Sequence, residues 1–148
     1  MSDCRADSYI TERIPHRPPF LWLDRVLEAG ADSLVAEKDI PADLALFDGH
    51  YPGHPLMPGV LLCEAVFQAG AVLLADRQEG AARGKPVLTR ILGAKFKREV
   101  RPGDTIRIQV RLTERVGPAW FMKGSVRVHD RVAVQVEFAC AVTETIGS

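Results

Sequence analysis

A long apolar segment that follows a proline-rich loop constrains the fold of this chain more than any other feature. Residues 47–64 read FDGHYPGHPLMPGVLLCE, with prolines at positions 52, 55 and 58. Each proline fixes its own φ angle and disfavours the α region for the residue before it, so His50 is predicted on extended or turn backbone. Pro58 suits the start of a helix, where a missing N–H costs nothing. The loop is therefore expected to lead directly into a helix.

The predicted helix extends from Pro58 to about Ala75 and is apolar around its whole circumference. Its strongly polar side chains are Glu64 and Gln68, four residues apart and therefore on one face. A helix that is apolar on all sides is normally buried, whereas glutamate is rarely buried without a partner. A carboxyl and an amide at these positions, close behind a rigid histidine loop, favour a catalytic role.

The remainder of the chain predicts an antiparallel sheet. In residues 106–113 and 132–142, every second side chain is apolar and the side chains between them are polar or small. This pattern is typical of half-buried antiparallel strands. Further strands are predicted at 20–27, 34–40, 86–97 and 119–128, with Gly93 as a candidate bulge. One long buried helix with five or six such strands predicts an α+β fold, with the helix packed on one face of the sheet.

Length and composition limit the class of protein. The 148 residues suit one domain, with residues 1–13 as a loose N-terminal arm, and 47% hydrophobic residues are typical of a globular chain. Lysine plus arginine and aspartate plus glutamate both total 19, so the net charge does not favour nucleic acid. Three cysteines without zinc spacing fit a reducing compartment. Since neither a signal peptide nor a membrane span is recognisable, a cytoplasmic location is predicted.

The proline loop and the helix together resemble a family signature. The segment HYPxxPxMPGV at 50–60, with Glu64, Ala65 and Gln68 behind it, resembles that of the (3R)-3-hydroxyacyl-acyl-carrier-protein dehydratases. The resemblance extends in family order to PHRPPFL at 15–21, DR at 24–25, KFKR at 95–98 and PGD at 102–104. These are enzymes of type II fatty-acid synthesis. They have the hot-dog fold, in which an antiparallel sheet wraps around one long central helix.

The resemblance implies a hydro-lyase that converts a 3-hydroxyacyl thioester into the trans-2-enoyl thioester. This reaction needs a base for the C2 proton, an acid for the departing hydroxyl and a donor for the thioester oxygen. Histidine is the natural base near neutral pH, and a desolvated carboxyl favours its protonated form. A backbone N–H in the first turn of a helix can bind an oxyanion.

By resemblance, each role falls on one residue of this chain. His50 corresponds to the catalytic base, Glu64 to the catalytic acid, Gly59 to the backbone donor and Gln68 to a residue that orients Glu64. The family builds its site between two subunits, with the histidine from one and the acid from the other. A homodimer, often three dimers together, is thus implied, with acyl carrier protein as partner. The substrate is carried on its phosphopantetheine, and no metal, nucleotide or redox cofactor is implied.

Other interpretations of the polar residues stay open. Glu64 can instead form a buried structural ion pair with Arg25 or Arg90. His16, in the loop at 14–19, is more typical of a structural histidine than of a functional one. Cys63, next to Glu64, is more typical of an inert small hydrophobe than of a nucleophile.

Two further histidines are interpreted as residues without a catalytic or metal-binding role. His54 follows His50 by four residues, but the prolines between them exclude a helical metal-binding pair, so His54 is expected at the surface or the mouth of the site. His129 is expected in a solvated turn. A basic cluster fits either a carrier protein or a solvated strand face; it comprises Lys95, Lys97, Arg98 and Arg101.

Two departures from the family pattern leave the acyl chain length open. Tyr51 stands where the family usually has phenylalanine, and Phe67 stands where a small residue is usual. A bulky ring one turn from the acid would shorten or redirect the path of an acyl chain. Three alternative functions remain: a hot-dog thioesterase, a coenzyme A hydratase with the same chemistry, and a non-catalytic paralogue that binds acyl carrier protein.

Overall fold

The computed structural model describes residues 7–77 and 85–143. Residues 1–6 of the predicted arm and most of the predicted loop at 76–85 lie outside this part of the chain. In the described parts, the elements follow in this order: α1 (Asp7–Thr11), β1 (Arg25–Ala29), β2 (Ser33–Asp39), a 3₁₀ helix (Ala45–Asp48), α2 (Gly59–Ala75), β3 (Lys85–Phe96), β4 (Thr105–Val116), β5 (Ala119–Val128) and β6 (Arg131–Thr143).

The six strands form one antiparallel sheet. Their order is β1-β2-β4-β5-β6-β3, so that β1 and β3 are the two edges. Helix α2 packs against β2, β3, β4, β5 and β6, and the described residues share one hydrophobic core. The predicted α+β architecture, with a sheet wrapped around one long helix, is confirmed. No helix in the described ranges is long and apolar enough to span a membrane.

Glycine allows α2 to approach the sheet closely. A Cβ atom at Gly124 on β5 would lie 2.2 Å from Cγ1 of Val66 on α2 and 2.9 Å from the carbonyl oxygen of Gln109. Such distances are far below van der Waals contact, so only a residue without a Cβ fits between the helix and the sheet here. Val66 itself is fully buried. The pair therefore sets the position of α2 on the sheet.

The strand predicted at 20–27 begins later and for a specific reason. Leu21, Trp22 and Leu23 are all buried, which breaks the alternation of a strand with one solvated face. The N–H of Trp22 donates to the side chain of Gln68 rather than to a neighbouring strand. Strand β1 therefore covers Arg25–Ala29 only. At the other edge, the pairing of β3 with β6 shifts between Ile91 and Gly93, as the predicted bulge requires.

The described part of the predicted N-terminal arm, residues 7–13, is attached to the core. Ile10 in α1 is fully buried, and the guanidinium of Arg13 donates to Asp76 at the end of α2 at 3.2 Å. This part of the segment is therefore packed rather than loose.

An ionic network joins the edge strand β1 to β2 and β4. The guanidinium of Arg25 donates two hydrogen bonds to Asp39, both 3.0 Å long, and a third to Glu37. Thr105 donates to Asp39 at 2.8 Å and Arg107 to Glu37 at 3.1 Å. The hydrogen bonds that Asp39 accepts, first from Arg25 and then from Thr105, lower its pKa from 3.8 to about 2.

We expect Gly124→Ala to lower the free energy of unfolding by about 1–3 kcal/mol, because the added methyl group must displace Val66 or bend β5. Urea titration would measure the change. Gly30→Ala is the matched control, since a Cβ atom there has its nearest neighbour at 3.4 Å, an ordinary contact. Equal stability of the two variants would show that α2 adjusts its position freely.

We expect Asp39→Asn to destabilise the protein at pH 6 by less than about 1 kcal/mol, because the carboxylate is 58% exposed and screened by solvent. Since folding lowers the pKa of Asp39, its contribution is present above the unfolded value and disappears as the pH falls towards 2. The stability gap between wild type and variant, measured by urea unfolding, should therefore close between about pH 4 and pH 2. A gap that is constant across this range would contradict the assignment.

Candidate active site

The start of α2 offers backbone N–H groups without acceptors in the helix. The helix begins at Gly59, directly after Pro58, whose ψ angle of 132° is extended. The first N–H groups of an α-helix have no intrahelical partner and lie at the positive end of its dipole. The ring of Phe96, at the end of β3, covers Gly59 so closely that a Cβ atom there would lie 2.7 Å from it. A Cβ atom at Gly59 would therefore force the exposed ring of Phe96 to move.

His50 lies on the loop before α2, where the structure fixes one of its two ring nitrogens. Its Nδ1 lies 3.0 Å from the carbonyl oxygen of Leu56, which can only accept a hydrogen bond. Nδ1 must therefore carry the hydrogen, and in the neutral ring Nε2 keeps its lone pair. The ring of Tyr51 packs edge-on against His50, at 4.8 Å between centroids, and Tyr51 adopts a φ angle of 50°. His50 is thus held in the tautomer that a general base needs.

Glu64 and Gln68 lie one turn apart on α2 and are joined directly. The amide nitrogen of Gln68 donates to Oε2 of Glu64 at 3.1 Å and to the carbonyl oxygen of Phe20 at 2.9 Å. The amide oxygen of Gln68 accepts from the N–H of Trp22 at 2.8 Å. Gln68 is 1% exposed, and all of these bonds are made inside the protein. The amide therefore connects the carboxyl of Glu64 to the chain before β1.

His16 also reaches Glu64 from the loop that precedes β1. Its Nε2 lies 3.6 Å from Oε2 of Glu64, while its Nδ1 is buried and has no hydrogen-bond partner. The ring stacks on Phe20, with 6.5 Å between the centroids. The arrangement differs from the one at His50, because here the nitrogen that faces a polar group is Nε2.

His50 and Glu64 have separate hydrogen-bond and ion-pair partners in the described part of the chain. Among the described residues, no hydrogen bond or ion pair joins their side chains. His50 is bonded to Leu56. Glu64 accepts a hydrogen bond from Gln68 and lies beside His16. The alternative ion pair of Glu64 with Arg25 is wrong, since Arg25 binds Glu37 and Asp39. Within the described part of one chain, no direct hydrogen bond or ion pair therefore links the two predicted catalytic side chains.

The remaining candidates have no role in this geometry. His54 is exposed and pairs with Glu99 at 3.0 Å, and His129 is exposed in the β5–β6 turn. Cys63 is buried, and burial raises the pKa of its thiol, which argues against a nucleophile. In the described ranges, no three His, Cys, Asp or Glu side chains are grouped as a metal site would require.

Sequence reasoning interpreted His16 as structural, although the structure places it beside Glu64. Its position between Pro15 and Arg17, in a motif shared with the family, was the signal that could have identified it. Phe67 is a second residue whose surroundings were not predicted from the sequence. Phe67 packs edge-on against Phe138 of β6, with 4.9 Å between the ring centroids, so the bulky ring has a defined place in the core.

Comparison with known proteins places this geometry in a family. The FabA-like domain family matches residues 14–137. A protein named 3-hydroxyacyl-[acyl-carrier-protein] dehydratase FabZ, from Caulobacter sp. (strain K31), is 42% identical over 92% of this chain and 85% of its own length. The protein of the same name from Clostridium perfringens (strain SM101 / Type A) is 39% identical over 90% of this chain and 95% of its own.

A solved structure extends the likeness to the fold. The dehydratase heterocomplex ApeI:P from Xenorhabdus doucetiae superimposes with a TM-score of 0.74 over 90% of each chain, at 16% sequence identity. At this identity the match concerns the fold alone. It confirms the hot-dog fold that the sequence predicted.

We expect Gln68→Met to lower the free energy of unfolding by about 1–3 kcal/mol for each buried group that loses its partner, the N–H of Trp22 and the carbonyl of Phe20. Methionine keeps the volume and flexibility of glutamine, so packing changes little. Leu61→Met, also on α2, is the control and should cost less than about 1.5 kcal/mol. If thermal unfolding showed both variants equally stable, the buried hydrogen bonds would not hold the segment before β1.

Proposed function

The chain belongs to the FabA-like family, among its FabZ-type dehydratases, and on that premise we propose that it dehydrates (3R)-3-hydroxyacyl-acyl-carrier-protein to the trans-2-enoyl form. The pathway is fatty-acid biosynthesis or a related one. Identity of about 40% over most of the chain supports this reaction. The observation that carries the residue assignment is the fixed tautomer of His50, whose Nε2 lone pair is free because Nδ1 donates to Leu56.

His50 is the proposed general base. Its Nε2 takes the proton from C2 of the substrate, and the electrons of the C2–H bond form the new double bond between C2 and C3. The carbonyl of Leu56 accepts a hydrogen bond from Nδ1 before and after this transfer, so the imidazolium that forms is stabilised without reorganisation.

Glu64 is the proposed general acid. The bond between C3 and the hydroxyl oxygen breaks with its electron pair on oxygen, and the proton of the Glu64 carboxyl completes the departing water. His50 thereby gains one proton and Glu64 loses one, and transfer through solvent restores both. The hydrogen bond from Gln68 to Oε2 holds the carboxyl in place for this step.

The N–H of Gly59 is the proposed donor to the thioester oxygen, where negative charge develops as C2 loses its proton. A position at the start of α2 supports this role, because the helix dipole favours an anion there. The cover by Phe96 removes water from one side of the site. No cofactor takes part in the proposed reaction besides the phosphopantetheine that carries the substrate.

The active unit is proposed to be a homodimer in which His50 of one protomer works with Glu64 of the other. Two observations support this. Within the described part of one chain, no hydrogen bond or ion pair joins the two side chains. The edge strand β3 also exposes a long apolar surface, which an unpaired edge normally avoids. That surface consists of Val87, Leu88, Ile91, Leu92 and Phe96. The proposed larger assembly is three such dimers together.

The proposed partner is acyl carrier protein. Phe96, which covers Gly59, stands between Lys95 and Lys97, and all three side chains are exposed. A basic surface beside the proposed thioester site would attract an acidic carrier and increase its rate of association.

The reaction is tested by following the absorbance of the enoyl thioester after protein is added to a short trans-2-enoyl-acyl-carrier-protein. Wild type should consume the enoyl group by hydration, the reverse of the proposed reaction, and no free thiol should appear. His50→Ala and Glu64→Gln should each lower the rate by at least about a hundredfold, since proton transfer is lost. Free thiol in the wild-type reaction would instead establish a thioesterase.

Two further results would change the assignment. Activity with coenzyme A thioesters but not with the carrier protein would identify a hydratase of coenzyme A thioesters. Lack of activity with every chain length and both carriers, in a folded protein, would favour a non-catalytic subunit that binds the carrier.

The shared site is tested by mixing inactive variants. His50→Ala and Glu64→Gln are unfolded together and refolded, so that mixed dimers form. Each mixed dimer has one site with both residues intact, so we expect about one quarter of wild-type activity when half of the dimers are mixed. Refolding each variant alone is the control. If the mixture stays inactive although mixed dimers are present, the two residues must act within one chain.

A further inference from the structure

We propose that His16 is a positioning residue for the acid, and that its Nε2–H donates a hydrogen bond to the Glu64 carboxylate which forms when Glu64 gives up its proton. This rests on the proposed function, since it assigns Glu64 the role of acid. His16 belongs to the loop before β1, and Glu64 belongs to α2, so the contact joins two separate segments of one chain.

The distance between the two groups fits a bond that forms during the reaction. Nε2 of His16 lies 3.6 Å from Oε2 of Glu64, about 0.7–0.9 Å beyond a charge-assisted hydrogen bond. The side chains are 30% and 24% exposed, so they lie together at the wall of an accessible site. A small rotation of the carboxylate closes the gap.

The buried nitrogen of His16 determines which tautomer is present. Nδ1 is buried and has no hydrogen-bond partner. A hydrogen on Nδ1 would be a buried donor without a partner, whereas a hydrogen on Nε2 faces an oxygen of Glu64 that can accept it. The hydrogen of the neutral ring therefore lies on Nε2, which faces Glu64. The same argument disfavours the imidazolium, so His16 acts as a neutral donor.

The segment that carries His16 is held in place by its neighbours. The guanidinium of Arg17 donates to the carbonyl oxygens of Thr11, Ile14 and His16, at 2.9, 2.9 and 2.7 Å. The ring of Phe20 stacks on His16, and the carbonyl of Phe20 accepts from Gln68. Since these bonds exist before any substrate arrives, the donor is aimed at the carboxyl in advance.

Among the described residues, His16 is the titratable side chain that pairs with Glu64. Gln68 on α2 donates to Oε2 and does not titrate. Cys140 on β6 is buried, and burial together with the charge of Glu64 raises the pKa of its thiol to about 12, so the thiol stays protonated. His50 of the other protomer completes the surroundings in the proposed dimer.

A pair of substitutions separates the donor from the ring. His16→Gln keeps an N–H at the reach of Nε2, whereas His16→Leu removes it at similar size. We expect His16→Leu to lower kcat by about ten- to a hundredfold, the loss of one hydrogen bond to a charged group, while His16→Gln keeps most of the activity. Because only His16→Leu loses the donor to the carboxylate, the alkaline limb of its kcat profile should move to higher pH, and that of His16→Gln should stay in place.

His129→Asn is the control for the removal of a histidine, because His129 is 79% exposed and asparagine tolerates its φ angle of 50°. Its kcat and pH profile should equal those of wild type. Thermal unfolding of all variants identifies any that fail to fold. If His16→Leu and His16→Gln lost activity equally with an unshifted profile, or if both kept full activity, the proposal would be wrong.

A measurement without turnover tests the tautomer directly. Two-bond ¹H–¹⁵N correlation spectra of the wild-type imidazoles should show His16 neutral with its hydrogen on Nε2, and Glu64→Gln should change the His16 signals. Hydrogen on Nδ1, or an imidazolium at neutral pH, would overturn the proposal. Failure of the proposed function is distinguishable, since wild type would then release free thiol or leave the enoyl thioester unchanged, whatever the His16 variants do.

Discussion

One buried amide holds the candidate site together. Gln68 is enclosed by apolar residues, yet each of its polar atoms has a partner: the N–H of Trp22, the carbonyl of Phe20 and the carboxyl of Glu64. A half-satisfied amide in such a place would be strongly destabilising. The complete set instead fixes the chain before β1 against α2. That segment carries His16, so the same bonds that satisfy Gln68 also bring an imidazole to the acid.

The two histidines of the site illustrate how backbone surroundings assign chemistry. His50 and His16 have identical side chains, but the carbonyl of Leu56 places the hydrogen of His50 on Nδ1, and burial of Nδ1 in His16 places it on Nε2. The first ring is therefore prepared to accept a proton and the second to donate a hydrogen bond. In neither ring does the position of the hydrogen depend on a charged neighbour. In each ring it follows from the surroundings of Nδ1.

Much of the architecture could be predicted because it follows from local patterns. The proline loop, the apolar helix and the period-two strands β4 and β6 each have a signal within a few residues. The first strand was predicted too early, because the hydrogen bond of Trp22 to Gln68 spans 46 positions and leaves no local trace. The contact of His16 with Glu64 likewise joins positions that are far apart in the sequence and leaves no local trace. The prediction that His50 works with the Glu64 of another subunit came from the family resemblance. Spacing along the chain does not show which side chains lie together in the folded protein.

The contact between Val66 and Gly124 has a consequence for the acid on the far side of the helix. Successive residues of an α-helix are about 100° apart, so Val66 and Glu64 point in roughly opposite directions. Val66 fits where β5 has no Cβ and would clash if α2 turned about its axis or slid along it. The contact with the sheet therefore fixes the rotation of α2 about its own axis. This rotation in turn fixes the direction in which the carboxyl of Glu64 points. The direction of the carboxyl is thus maintained by two residues on the opposite side of α2.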